Sequence, residues 1–144
     1  MPNLFALIVL VVALSGGPAK AEGPRTATLY KNPACTCCET YADYLRENGF
    51  EVAVEATHDL PLIKRLHGVP TPLEGCHTTL IEGYVVEGHM PVATILRLLS
   101  ERPAIKGISL PGMPAGSPGM FGEKAEPFTI YEIGDGPANV YAVE

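Results

Sequence analysis

Short strand and helix patterns alternate along this chain, and that alternation limits the folds open to it. Residues 25–30 form a strand candidate, and residues 50–54 alternate apolar and polar side chains as a half-buried strand does. Apolar side chains recur at helical spacing within residues 36–48, and Gly49 is a signal that the helix ends. A strand, a helix and a second strand in succession predict a layered α/β fold.

The pattern continues beyond the second strand. A short helix is predicted over residues 59–66, and a hairpin joins residues 78–81 to residues 84–87. Pro91 begins a further helix, because proline is favoured in a first helical turn. Its apolar spacing predicts that the following side chains point inward: Val92, Ile95, Leu96 and Leu99.

The character of the sequence changes after Pro103. Residues 110–120 form a loop rich in proline and glycine, and residues 128–133 and 140–143 predict a closing strand pair. The predicted order is therefore β-α-β-α-β-β-α with a C-terminal β appendix, which is the thioredoxin-like arrangement of an α/β sandwich. The 144 residues suit one domain. Fold class alone does not give function.

The N-terminal residues have the pattern of a targeting segment. Residues 4–14 are an unbroken apolar run, and Ala19-Lys20-Ala21 follows as an A-x-A cleavage site. The alternative is a membrane anchor, but a bilayer-spanning helix needs about 20 apolar residues. The sequence predicts a signal peptide over residues 1–21, export to the periplasm, and a mature domain over residues 22–144.

The charge balance disfavours two classes of partner. The formal net charge is −6, and removal of residues 1–21 takes away one cation, Lys20, which leaves −7. Nucleic acid and anionic lipid surfaces attract basic proteins. We therefore expect neither a nucleic-acid partner nor a membrane partner after cleavage.

Three of the four cysteines, Cys35, Cys37 and Cys38, lie at the predicted turn from strand to helix. An even number of cysteines in an exported chain usually indicates disulfides. Adjacent cysteines, however, can bridge each other only through a strained ring. The unpaired N–H groups at a helix start favour thiolates, which both redox chemistry and soft-metal binding require. The plainer alternative is a structural disulfide to Cys76.

A third thiol beside a C-x-x-C pair favours metal binding over disulfide exchange. An oxidoreductase using Cys35 and Cys38 needs only two thiols, and an extra one offers wrong mixed disulfides. Copper(I), a soft ion, gains from each added thiolate. Zinc stays open as an alternative, since three cysteines and one histidine form a known structural zinc set.

Further candidate ligands lie beyond the cysteine turn. The pair Cys76 and His77 begins the third predicted strand, where a thioredoxin-like fold would face it toward the turn. Thioredoxin-type enzymes keep a proline at this place, so a cysteine there favours metal over redox exchange. Weaker candidates are His89, which lies between a strand and a helix, and the thioethers of Met113 and Met120 in the loop.

Four strings together resemble the CopG-like family, formerly a domain of unknown function: CTCC, HGVP, CHTTLIEGYVVEGH and PGMPAGSPGM. Its members are predicted periplasmic metal-binding proteins linked to copper resistance, and the resemblance runs from Thr26 to Met120. It implies a thioredoxin-like fold and a multi-copper thiolate cluster. The sulfurs that carry over are those of Cys35, Cys37, Cys38 and Cys76.

The sequence thus predicts a soluble periplasmic protein that sequesters, relays or changes the oxidation state of copper(I). Its partners would be copper ions and other periplasmic copper-handling proteins. The predicted loop would limit the access of water and oxygen through Leu110, Met113, Pro114 and Met120. A thiol–disulfide oxidoreductase and a zinc-stabilised module are the alternatives.

Overall fold

The computed structural model describes residues 23–144, so the predicted signal peptide over residues 1–21 lies outside the described residues. The described chain contains the following strands and helices: β1 Arg25–Lys31, α1 Thr36–Glu47, β2 Phe50–Ala56, α2 Leu60–Leu66, β3 His77–Ile81, β4 Tyr84–Glu87, α3 Val92–Glu101, β5 Gly107–Ser109, β6 Thr129–Ile133 and β7 Val140–Val143. Within this part of the chain, no helix combines the length and apolar character needed to cross a membrane.

One mixed sheet contains the strands of the described chain, in the order β2-β1-β3-β4-β5-β6-β7. β1 pairs parallel with β2 and antiparallel with β3, so Lys31 at the end of β1 lies opposite His77 at the start of β3. The end of β1 leads into the cysteine turn. This register therefore places the residue before β3, Cys76, beside that turn.

Helix α1 covers the sheet with one face. Tyr41, Ala42 and Leu45 recur at helical spacing and are buried, together with Cys38 in the first turn. The hydroxyl of Tyr41 donates a hydrogen bond of 2.8 Å to the backbone oxygen of Met90, so this buried polar group is satisfied. The helix start is thus fixed against the sheet at the position of the cysteines.

The predicted order of elements is confirmed, but one inward position of α3 is wrong. Leu96 was expected to be buried, yet 43% of its surface is exposed, while Leu98 is completely buried. The buried face of α3 also includes Thr94 and Ile95. Leu96 lies ~100° around the helix from Ile95, on the side away from Thr94 and Leu98, and so reaches the edge of the face.

Strand β5 is the one element of the main sheet that the sequence does not indicate. Its three residues, Gly107–Ser109, are too few to show an alternating pattern. β5 pairs parallel with β4 and antiparallel with β6, so it joins β6 and β7 to the main sheet. The predicted C-terminal appendix is therefore a continuation of the sheet.

Gly107 is required where β5 comes against β4. A Cβ atom at this position would lie 1.8 Å from the backbone oxygen of Val85 and 2.8 Å from its nitrogen. A backbone atom of a central strand cannot move aside, so only glycine fits. Because β5 leads directly into residues 110–122, this contact also fixes where that loop begins.

We expect Gly107→Ala to lower the free energy of unfolding by ~3 kcal/mol, because the new methyl group overpacks the β4–β5 contact. The matched control is Gly134→Ala, where no atom lies within 4 Å of the added Cβ. Urea denaturation of both variants measures the difference. Equal midpoints would contradict the close approach of the two strands.

Candidate metal centre

Four cysteine sulfurs converge at the start of α1. Cys35 precedes the helix, Cys37 and Cys38 lie in its first turn, and Cys76 arrives from the start of β3. The Sγ–Sγ distances are 3.4 Å for Cys35 and Cys37, 3.6 Å for Cys38 and Cys76, and 4.0 Å for Cys37 and Cys76. Cys35 and Cys38 form a disulfide, and the other two thiols are free. The expectation that Cys76 faces the turn is confirmed.

A buried lysine stabilises the turn before α1. Lys31 is 3% exposed, and its Nζ atom donates to the backbone oxygens of Asn32 (3.2 Å) and Pro33 (3.3 Å). It also lies 3.0 Å from a carboxylate oxygen of Glu39 in α1. The N-cap residue, Cys35, makes no side-chain capping bond. The N–H groups of the first turn therefore have no side-chain cap. They form the positive end of the helix dipole, and this end lies at the sulfurs.

The free thiol of Cys76 is protonated at neutral pH. Burial raises the pKa of Cys76 to about 12, and the nearby thiol of Cys37 adds to the increase. The positive charge of Lys64 acts in the opposite direction and lowers this pKa. A soft cation that binds here must displace the proton, so metal binding and proton release are linked.

Two histidines extend the site on the other side of Cys76. The Cys76 Sγ atom lies 2.9 Å from Nε2 of His89 and 3.3 Å from Nδ1 of His77, and both histidines are fully buried. The three ligand atoms lie within 4.8 Å of one another, as do the four cysteine sulfurs. Cys76 belongs to both groups and joins them into one site.

The tautomer of His89 follows from its other contact. Its Nδ1 atom lies 2.7 Å from the backbone oxygen of Pro118, which can only accept, so Nδ1 carries the proton. Burial lowers the pKa of His89, and the ring is therefore neutral near pH 7. The lone pair of Nε2 then points toward Cys76, which is the arrangement of a metal-binding imidazole with a supporting hydrogen bond.

His77 lies between two rings, and its Nδ1 atom has a polar neighbour, the sulfur of Cys76. Its ring centroid lies 4.6 Å from that of Tyr41 and 4.8 Å from that of His89. Burial, followed by the influence of His89, lowers the pKa of His77 well below its usual value. Its Nε2 atom has no hydrogen-bond partner among residues 23–144. The ring is thus neutral, with Nδ1 facing the sulfur of Cys76.

The loop of residues 110–122 lies over the first turn of α1. A Cβ atom on Gly119 would lie 3.0 Å from the nitrogen of Tyr41 and 3.3 Å from the backbone oxygen of Cys37. Met120 is half-buried beside this contact, whereas Met113 is 41% exposed. The loop therefore packs against the site through Pro118 and Gly119. The roles of Leu110, Met113, Pro114 and Met120 in limiting access, and of the two methionines as ligands, stay predictions.

A buried ion pair behind Cys76 is the feature that sequence reasoning missed. Lys64 from α2 and Glu87 from β4 are both buried, and they form an ion pair. Glu87 also accepts hydrogen bonds of 2.7 Å from the N–H of Gly75 and from the hydroxyl of Thr78. In the sequence, Lys64 follows Leu60 by one helical turn and Glu87 ends the apolar run of β4. A single charged residue in a short element usually faces solvent, so neither pattern marks its charged residue as buried.

Known proteins resemble this chain in sequence and in structure. Two solved structures of a copper resistance protein, copG form 1 and copG form 2, are each 36% identical to it, with a TM-score of 0.77. Each match covers 84% of this chain and 98% of the other. The family described as "Protein of unknown function, DUF411" matches residues 73–120, which contain Cys76, His77 and His89. None of the curated proteins matches the chain.

The raised pKa of Cys76 predicts slow alkylation of this thiol in the metal-free protein. In a Cys37→Ser variant with the Cys35–Cys38 disulfide intact, burial still keeps the pKa of Cys76 above the ordinary value of about 8.5. We expect its reaction with iodoacetamide at pH 8 to be roughly tenfold slower than in denaturant. The rate should continue to rise above pH 9, as mass spectrometry would show.

The same shift makes the stability of the metal-free protein depend on pH. The pKa is raised on folding, so the contribution of the neutral thiol is complete below about pH 8.5. It is lost as the pH rises toward the folded pKa of about 12. An alkylation midpoint for folded Cys76 at or below 8.5 would contradict this account.

Proposed function

This chain belongs to the CopG-like family of copper resistance proteins, and we propose that it binds copper(I) in a cluster of cysteine thiolates. The observation that carries the proposal is the convergence of four sulfurs within 4.8 Å of one another. Soft thiolates prefer soft ions, and a thiolate can bridge two of them. The ligands would be Cys35, Cys37, Cys38 and Cys76.

The geometry supports more than one copper ion per chain. Cys76 lies within 4.0 Å of two other cysteine sulfurs and within 3.3 Å of two histidine nitrogens, so it can serve as a shared ligand. The competent form is the one in which Cys35 and Cys38 are reduced, because a disulfide supplies no thiolate. The α1 dipole and the positive charge of Lys64, which lowers the pKa of Cys76, offset part of the negative charge that four thiolates bring.

Additional ligands would complete the coordination. His77 and His89 are neutral and face Cys76, so they suit an ion bound at that sulfur. Met113 and Met120 lie in the covering loop, and their thioethers suit copper(I). We propose these four as secondary ligands, with the two histidines preferred because their nitrogens already lie near the sulfur.

The N-terminal sequence and the family support a proposal for the cellular setting. We propose that residues 1–21 are a signal peptide and that residues 22–144 act in the periplasm as one thioredoxin-like domain. There the protein would sequester copper(I), pass it to other copper-handling proteins or change its oxidation state. Each of these roles fits a protein of copper resistance.

One observation favours a second candidate function, thiol–disulfide exchange. The Cys35–Cys38 disulfide lies at the start of α1, where the unpaired N–H groups favour a thiolate when the pair is reduced. A thiol–disulfide oxidoreductase would reduce insulin disulfides in the absence of metal. The presence of Cys76 rather than proline directly before β3 favours the copper function.

A zinc-stabilised module would bind zinc tightly and lose its fold on chelation.

Copper titration of the reduced protein tests the proposal. Without oxygen and against a competing chelator of known affinity, we expect the protein to take up more than one copper(I) per chain. The Cys35→Ser/Cys38→Ser variant should lose this uptake, since half of the sulfurs are removed. Zinc titration in parallel separates the zinc alternative. Weak copper uptake together with tight zinc binding or insulin reduction would overturn the proposal.

A matched pair of histidine variants tests the second half of the site. We expect His89→Ala to lower the affinity for copper(I) by roughly tenfold, because it removes a neutral imidazole aimed at Cys76. His58→Ala is the control, since His58 is exposed between β2 and α2. The same competition titration measures both. Equal affinities in the two variants would remove His89 from the ligand set.

A further inference from the structure

We propose that the buried pair Lys64 and Glu87 is a positioning device that holds the Cys76–His77 segment in place for copper(I). This inference rests on the proposed function. It assigns a role to two buried charged residues that supply no ligand to the cysteine or histidine groups. Neither residue is part of the sulfur cluster, and each would act through the ligands that it positions.

Glu87 contacts the ligand segment on both of its sides. Its Oε1 atom accepts the N–H of Gly75, directly before Cys76, and its Oε2 atom accepts the hydroxyl of Thr78, directly after His77. Both distances are 2.7 Å, as expected of strong hydrogen bonds to a carboxylate. One side chain therefore restrains the backbone on either side of the two ligands.

Lys64 fixes the orientation of that carboxylate. Its Nζ atom bonds Oε1 of Glu87 and lies 3.2 Å from the hydroxyl oxygen of Thr78. Glu87 is fully buried and Lys64 is 4% exposed, so neither charge is solvated by water. A buried ion pair adds little net stability compared with apolar residues of similar volume. A contribution to stability therefore does not explain why the ion pair is there, whereas its location next to the ligands indicates a role at the metal site.

The same network links two backbone segments, one with Cys76 and His77 and the other with His89. A Cβ atom on Gly75 would lie only 2.8 Å from the Cα atom of Gly88, so the two backbones are in direct contact. Glu87 and Gly88 immediately precede His89. The bond from Glu87 to Gly75 and the backbone bond from the N–H of Gly88 to the oxygen of His77 (3.2 Å) together hold Cys76 and His89 close, with their ligand atoms 2.9 Å apart.

The sharpest test replaces both charges together in the full-length protein. Lys64→Met/Glu87→Met leaves no unpaired buried charge, so the double variant is expected to fold. We expect its affinity for copper(I), measured against a competing chelator, to fall by roughly tenfold, as when a supporting partner of a metal ligand is lost. The copper–sulfur charge-transfer spectrum should shift as well, and a role in stability alone would not move it.

Two neighbouring threonines provide a matched pair of single variants. Thr78 and Thr79 are both buried on β3, and the hydroxyl of Thr78 donates a hydrogen bond to Glu87. The hydroxyl of Thr79 has no hydrogen-bond partner in the described part of the chain. We expect Thr78→Val to lower the copper(I) affinity by about threefold or more, as a weaker form of the same loss. Thr79→Val should leave it unchanged.

Each outcome decides the inference. A folded double variant with wild-type affinity and spectrum would overturn it while leaving the proposed function intact. Should the double variant not fold, the threonine pair decides, and equal affinities for Thr78→Val and Thr79→Val would overturn the inference. No copper uptake by the wild-type protein would overturn the proposed function, and the inference with it.

Discussion

The antiparallel pairing of β1 with β3 is the constraint on which the site depends. It places the end of one strand beside the start of the other, with Lys31 opposite His77. Cysteines 39 positions apart in the sequence thereby come within 4.0 Å of each other. A shift of one residue in this register would turn the side chain of His77 to the face opposite the one it now occupies, so the strand pairing also specifies the ligand set.

Burial gives this site its chemical character. It raises the pKa of Cys76 and lowers the pKa values of His77 and His89, so the metal-free site contains a neutral thiol and neutral imidazoles. Neutral imidazoles and deprotonated sulfur are the forms that bind soft metals. Desolvation therefore keeps the histidines ready for binding, while the thiol must lose its proton when the metal arrives.

Local signals in the sequence predicted most of the strands and helices and the crowding of Cys35, Cys37 and Cys38, whereas the approach of Cys76 was predicted from an assumed thioredoxin-like arrangement. Strand alternation, helix spacing and three crowded cysteines can be recognised without tertiary contacts. Strand β5, the exposure of Leu96 and the burial of Lys64 and Glu87 depend on packing between distant elements. A lysine in a short helix usually reaches water, so nothing local distinguishes this one. The thioredoxin-like assignment stays a prediction.

The position of Cys76 at the junction of two groups affects how the proposed copper site would fill. Neither group is complete until this one thiol has lost its proton, and its pKa of about 12 makes that loss unfavourable at neutral pH. The first ion bears the whole cost of deprotonation, whereas a second ion finds the sulfur already ionised. Through this shared thiol, the first ion to bind would make deprotonation at the second position unnecessary, so the two positions would be linked.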